Sequence, residues 1–176
     1  MMTPDQRVFW NRFCAETGHS GKPFDVDQFG DSEALADELL GLVLIGQKRA
    51  TCALARWYEQ PGARFPESGD MSIILDGRGN PACVIRTTSV EVKPVRKADA
   101  QFAWDEGEGD RSFEYWWREH LAYWMREAER EGFAFSEDMN ACFERFELVW
   151  TGGDDFRPVK PKGNCLPRRH QMARQD

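Results

Sequence analysis

Residues 71–92, MSIILDGRGNPACVIRTTSVEV, constrain the fold more than any other stretch. Two β-rich runs, MSIILD and ACVIRTTSVEV, flank the turn cluster GRGNP, so the segment reads as a β-hairpin that Pro94 ends. A hairpin needs neighbouring layers to cover its apolar side chains. The final strand expected at MNACFERFELVW supplies one neighbour. Strict alternation sends Phe143 and Leu148 to opposite faces, so this strand is expected to be covered on both sides or bulged.

Helical patterns supply the other layers. In TPDQRVFWNRFCAETG, Thr3 suits a cap, Pro4 the first turn and Gly18 the exit, while Val8, Phe9, Phe13 and Cys14 recur near helical spacing. DSEALADELLGLVLIGQ is a second helix, with Asp31 or Ser32 as cap, the stripe Leu35, Leu39, Leu42 and Val43, and Gly46 as terminator. Between them, HSGKPFDVDQFG reads as irregular. TCALARWY is a candidate strand, PGARFPESGD a loop, and VRKADAQFAW a short helix. After the acidic loop DEGEGD, a long helix from Asp110 or Ser112 to about Glu131 places Phe113, Trp116, Trp117, His120, Leu121, Trp124 and Ala128 on one face. No internal repeat is visible. Helices first, then strands, a helix and a last strand indicate an α+β domain over residues 1–150, and several short strands favour a small barrel over an open sheet. Residues 151–176 hold few apolar groups and three prolines and read as a basic, flexible tail.

Charge narrows the function. The chain carries −7 overall, but residues 151–176 hold six Lys/Arg and three Asp, leaving −10 on the first 150. Such a body lacks the basic face of a non-specific nucleic-acid binder, though a small pocket that reads one base is still open to it. Seven Trp and twelve Phe serve a core first, and pockets second. Five scattered cysteines without a C-x-x-C indicate free thiols in a reducing compartment. The N-terminus lacks signal-peptide character, and LLGLVLIG is too short to cross a bilayer, so a cytoplasmic protein without membrane association is expected. G-x-S-x-G, H-E-x-x-H, a Walker lysine loop and a dinucleotide fingerprint are absent.

The chemistry-bearing candidates are few. Lys48 and Thr51 follow the Gly46 turn. Both read either as solvated groups or as a sheltered pair. In shelter the lysine is a proton acceptor beside a hydroxyl nucleophile, or a cation that holds an anion. DEGEGD crowds Asp105, Glu106, Glu108 and Asp110 together, which raises at least one carboxylate pKa if the loop is not simply solvated. It is a poor calcium loop, since Arg111 stands at the required glycine and Trp117 at the closing glutamate. No cofactor is called for, and a divalent metal has little support. His120 is a buried structural histidine or a pocket group. Arg86, inside a strand, wants a carboxylate from DEGEGD or a ligand phosphate. Trp57 and Tyr58 are core or rim aromatics, or stacking platforms for a base. The tail's PRRH reads as a solvated end.

Four stretches in order resemble the ASCH domain family, a PUA-like β-barrel group: GQKRAT as its G-x-K-x-x-T signature, ESGDMSIILDGRGNPACVIRTTSVEV as its hairpin, FAWDEGEGDRSFEYWWREH as its acidic loop and helix, and CFERFELVW as its closing strand. The resemblance implies a small mixed barrel flanked by helices, with a cleft beneath them and the signature on its floor. It implies a role with RNA or a modified nucleoside, as ligand-binding module, single-strand ribonuclease, or amidohydrolase of the branch that deacetylates N4-acetylcytidine. The catalytic residues of that branch carry over to Lys48, Thr51 and Glu106, with Glu108 two residues away as the alternate acid. Gly46, Trp57, Arg86, Glu108 and His120 are then candidates for substrate contact. The chain is longer than that branch, with an added N-terminal helix and the basic tail. In a ribonuclease, Lys48 and Arg86 would hold phosphate and Glu106 or His120 would move the proton. In a non-catalytic reader, Trp57 would stack and Lys48 would neutralise.

Overall fold

A computed structural model describes residues 2–152. From residue 153 onward, the expected basic tail lies outside the described residues. The elements are α1 (Pro4–Thr17), β1 (Asp25–Asp27), α2 (Glu33–Leu44), β2 (Ala50–Leu54), β3 (Met71–Leu75), β4 (Pro81–Pro94), α3 (Ala100–Glu106), α4 (Phe113–Glu131) and β5 (Asn140–Trp150), with single 3-10 turns at Ala55–Trp57 and Val95–Lys97. The sheet order is β1-β3-β4-β5-β2; β1 runs parallel to β3 and every other pair is antiparallel. The result is a mixed five-stranded half-barrel flanked by four helices.

The β3–β4 hairpin is the spine. Ile73 faces Val84 across the ladder and both pack against Trp10 and Phe13 of α1. One residue on, Ile74 faces Cys83 and both pack against Leu39, Leu40 and Val43 of α2. Successive strand residues point to opposite faces, so these apolar runs are continuous because helices cover both sides. The 14-residue β4 pairs with β3 from Pro81 to Arg86 and with β5 from Val84 to Pro94, with register shifts against β5 at Val84/Ile85 and Thr87/Ser89. Bulges increase local twist, and here they curl the sheet. β5 is both bulged in register and buried on both faces, since Phe143 joins the α3–α4 core and Phe146 the α2 core.

Several expectations need correction. HSGKPFDVDQFG holds β1, a three-residue edge strand too short to show a pattern. The strand at TCALARWY stops at Leu54 and turns into a 3-10 helix. α1 buries Gln6, Trp10 and Phe13, while Val8 is exposed. α2 is capped by Ser32, and Ala36 and Leu40 share its buried face. Asp105 and Glu106 form the last turn of α3 rather than a loop. α4 starts at Phe113 behind the Ser112 cap, as read, and it also buries Glu127.

Trp124 of α4 is fully buried, with Trp116, Phe135 and His120 against it. Trp124→Ala should cost about 3–5 kcal/mol, read as a lower denaturant midpoint in urea unfolding.

Candidate functional site

The end of α2 builds the site. Gly46 adopts φ +73, the left-handed region that favours glycine, and its N–H donates to the Val43 carbonyl at 2.9 Å. The N–H groups of Gln47 and Lys48 then both donate to the Leu42 carbonyl, at 2.9 and 3.0 Å. The chain turns back sharply and sends the Lys48 side chain inward. Next, the Arg49 N–H donates to the Asp105 carbonyl at 2.8 Å, and the Arg49 carbonyl accepts from the Phe146 N–H at 2.9 Å. This segment is thereby stitched to α3 on one side and β5 on the other. Gly107 allows the close approach: it has φ +74, and a Cβ there would sit 2.5 Å from the Gln47 carbonyl oxygen. The Gln47 side-chain amide donates to the Gly107 carbonyl at 2.6 Å.

Glu106 and Glu108 flank that glycine and both meet Lys48. Lys48 Nζ donates to Glu106 Oε2 at 2.9 Å and to Glu108 Oε1 at 2.7 Å, with the Phe29 ring 5.3 Å away. Lys48 and Glu106 side chains are each 1% exposed. His120 lies on the other side of Glu106. Its ring stacks on Trp116 with centroids 4.2 Å apart, and its Nδ1 lies 3.0 Å from the Trp116 carbonyl. A carbonyl only accepts, so Nδ1 carries a proton. Nε2 lies 3.3 Å from Glu106 Oε1, an ion-pair contact rather than a well-formed hydrogen bond. With both nitrogens facing acceptors, His120 favours the imidazolium form. Two cations and two carboxylates then balance in a nearly dry site.

The ionisation follows. Burial alone would lower the Lys48 pKa, but the Glu106 and Glu108 charges outweigh it and hold the ammonium above its usual range. Burial would raise Glu106, but Lys48 and then His120 pull it below its usual range. Burial would lower His120, but Glu106 raises it. Of the two readings left open for Lys48, the geometry favours the cation that holds an anion. The crowding expected to raise a carboxylate in this run does not raise Glu106, because Lys48 and His120 lie against it. Asp105 and Asp110 leave the cluster: Asp105 accepts from Arg145 Nε at 2.9 Å, and Asp110 from the Ser112 N–H at 2.9 Å.

These groups sit at the floor of a cleft of about 1070 Å³ that Thr51, Trp57, Tyr58, Tyr115, Tyr123 and Glu127 also line. Thr51 stands on β2, opposite Glu144 of β5. Gly46 is outside the lining; it shapes the turn. Arg86 is also outside, paired on the exposed strand surface with Glu147 rather than with the acidic run. Sequence reasoning missed Glu127. It lies among Arg126, Arg130 and Glu131 and reads as part of a solvated face, yet it is 2% exposed and accepts the Trp57 indole N–H. Its position seven residues after His120, two turns along the same helix, is the signal that was present. Among the described residues, no three His, Cys, Asp or Glu side chains gather closely enough to hold a metal ion. No helix there is long and apolar enough to cross a membrane.

The model of a family described as ASCH domain matches residues 25–150. Two crystal structures are similar throughout their length. An ASCH domain from Lactobacillus crispatus JV V101 is 32% identical, with TM-score 0.77, covering 85% of this chain and 96% of that one. A protein of Enterococcus faecalis V583 is 34% identical, with TM-score 0.76, covering 85% and 95%. No curated protein matches the chain significantly.

Lys48→Met removes the cation and leaves two carboxylates facing each other in the dry site. It should cost about 3–5 kcal/mol at pH 7. Glu106 is held low in the folded state, so its stabilising share is present above about pH 4.5 and lost as pH falls through the lower folded value. In Lys48→Met that acid-side loss should shrink, since only His120 then lowers Glu106, and the stability gap from wild type should narrow below pH 4.5. Urea unfolding across pH 3–7 reads both effects.

Proposed function

The chain belongs to the ASCH domain family, and on that premise we propose that its cleft hydrolyses an N-acylated pyrimidine nucleoside or a closely related small amide. One observation carries the reading: a buried ammonium is clamped between two carboxylates at the floor of a cleft whose wall also offers the Thr51 hydroxyl. Amide hydrolysis needs a nucleophile, a group to take its proton, and a fixed positive charge where the carbonyl oxygen becomes negative. Thr51 supplies the first, Glu106 the second and Lys48 the third.

The steps balance. The Thr51 hydroxyl attacks the acyl carbon and its proton passes to Glu106. The carbonyl oxygen becomes an oxyanion beside Lys48 Nζ. As Lys48 turns toward that oxygen its hold on Glu106 weakens, which raises the carboxylate's basicity at the step that requires it. The proton then goes to the departing exocyclic nitrogen, the C–N bond breaks, and the base leaves as its free amine. Water attacks the acyl-Thr51 ester with Glu106 again as base, which releases the acid and restores the hydroxyl. His120 holds Glu106 Oε1 throughout and keeps the carboxylate aimed.

The charge of the cleft favours a small uncharged substrate over an RNA chain. Seven Asp and Glu line it against four Lys and Arg, and three of those four are already paired: Lys48 with Glu106 and Glu108, Arg64 with Asp70 and Arg126 with Asp31. A phosphate backbone entering this cleft meets net repulsion, which weakens the ribonuclease reading.

Mass spectrometry of N4-acylated cytosines and cytidines incubated with the purified protein tests this. Wild type should release deacylated product. Lys48→Ala should turn over roughly 10²–10³-fold more slowly, with circular dichroism confirming that it is folded. No product across the panel, or a fully active folded Lys48→Ala, would overturn the proposal.

A further inference from the structure

The far half of β4 has an open edge. β3 pairs with β4 as far as Arg86, and the chain before it carries the ladder one residue on: the Thr87 N–H donates to the Asp70 carbonyl and the Gly69 N–H to the Thr87 carbonyl, both at 2.9 Å. Beyond Thr87, β4 is paired only with β5, as far as Pro94. The Val95 N–H donates to the Met139 carbonyl at 2.9 Å, which sets the phase of that ladder. Lys93, Glu91 and Ser89 therefore turn their backbone groups toward β5, and Val90, Val92 and Pro94 turn theirs away. Pro94 has no N–H to offer, and an outward position on an edge is where a strand tolerates that. Among the described residues, nothing bonds to the N–H or carbonyl of Val90 or Val92.

An open edge is a template for another strand, and folded proteins usually block it with shortness, charge or cover. The two outermost edges of this sheet are managed. β1 has three residues, and the outer edge of β2 runs along the cleft, since Thr51, Cys52, Ala53 and Leu54 in succession all line it. The far half of β4 is not blocked in this way. Lys93 is turned onto the sheet face, its Nζ 4.8 Å from the centre of the Phe143 ring and 2.7 Å from Glu91 Oε2. Val92 is 43% exposed.

The edge is complementary to itself. We propose that it pairs antiparallel with the same edge of a second copy of this chain, centred on Val92. In that register each Val92 exchanges both backbone bonds with the partner's Val92, and each Val90 N–H meets the partner's Pro94 carbonyl. Each Glu91 stands opposite the partner's Lys93 at a non-hydrogen-bonded position, where side chains come closest. Other registers fit worse. Centred on Glu91, the two Glu91 carboxylates oppose each other. Centred on Val90, the pairing runs into the bulge at Thr87/Ser89 and leaves Glu91 and Lys93 without opposite charges. The product is a two-fold dimer whose sheet continues from one copy into the next. None of Ser89, Val90, Glu91, Val92 or Lys93 lines the cleft, so this inference is independent of the hydrolase reading.

Sedimentation velocity of the full chain, from low micromolar to near-millimolar concentration, tests it. Wild type should pass from monomer to dimer, and the Val90 and Val92 amides should exchange with solvent more slowly as the dimer fills. Glu91→Lys opposes like charges and should raise the dimer dissociation constant about tenfold or more. The double variant Glu91→Lys, Lys93→Glu restores opposite charges in reversed order and should recover the dimer. Val92→Pro deletes an N–H that the chain's own ladder does not use, so it should keep the native circular dichroism and sediment as a monomer. A wild type that stays monomeric would overturn the proposal and leave the edge to a strand of another protein. A dimer that Glu91→Lys and folded Val92→Pro leave intact would overturn it in favour of another face. A folded double variant that stays monomeric would overturn the Val92-centred pairing.

Discussion

An ammonium taken out of water is tolerated only where negative charge meets it at contact distance, and Lys48 is 2% exposed. Much of the local architecture serves that requirement. The Gly46 turn points the side chain inward. Gly107 lets the end of α3 approach the Gln47 backbone, which brings Glu106 and Glu108 to either side of one nitrogen. His120, stacked on Trp116 of the same helix, supplies the second positive charge that balances the second carboxylate. Removing any one of the four leaves a buried charge without its complement, so the cluster is held together by the cost of its alternatives. The same balance makes it responsive: a ligand that draws Lys48 away changes the proton affinity of Glu106.

The sheet positions these groups rather than supplying them. Helices on both faces of the β3–β4 hairpin fix α2, and α2 delivers the Gly46 turn. The long β5 carries β2 on its other edge, which places Thr51 on the cleft wall. α3 and α4 close over the sheet through Phe102, Trp116, Trp124 and Phe143, a cluster in which aromatic edges and faces alternate at 4.8–6.1 Å. Trp and Phe abundance is explained first by packing of this kind, while Trp57, Phe24 and Phe29 line the cleft.

Much of this was legible in the sequence, for identifiable reasons. The hairpin announced itself because both its faces are buried and a turn cluster splits it. The cap at Thr3 and the exits at Gly18 and Gly46 mark helix ends by local chemistry alone, while for α2 and α4 that chemistry left two caps each, of which Ser32 and Ser112 serve. Lys48 and Thr51 were legible as a pair through the signature that contains them. What stayed hidden depended on distant partners. β1 forms only because β3 offers an edge. Arg86 was expected in the site, but its partner is a cross-strand neighbour set by register. The lowered pKa of Glu106 stayed hidden because an acidic run shows its own crowding but not the lysine folded against it. Glu127 carried a helical spacing from His120 but no sign of burial.

The central claim is that Glu106 is ionised because Lys48 is clamped against it. Carbon-13 NMR of the side-chain carboxyl carbons, with Glu106 assigned by comparison with Glu106→Gln, reads this directly as pH is lowered from 7 to 3. The account predicts that Glu106 stays ionised well below the usual glutamate range, its titration trailing the exposed glutamates. A Glu106 that takes up its proton with the exposed glutamates, or before them, would contradict it: the ion pair would then not govern the site, and the proposed division of labour between cation and base would lose its foundation.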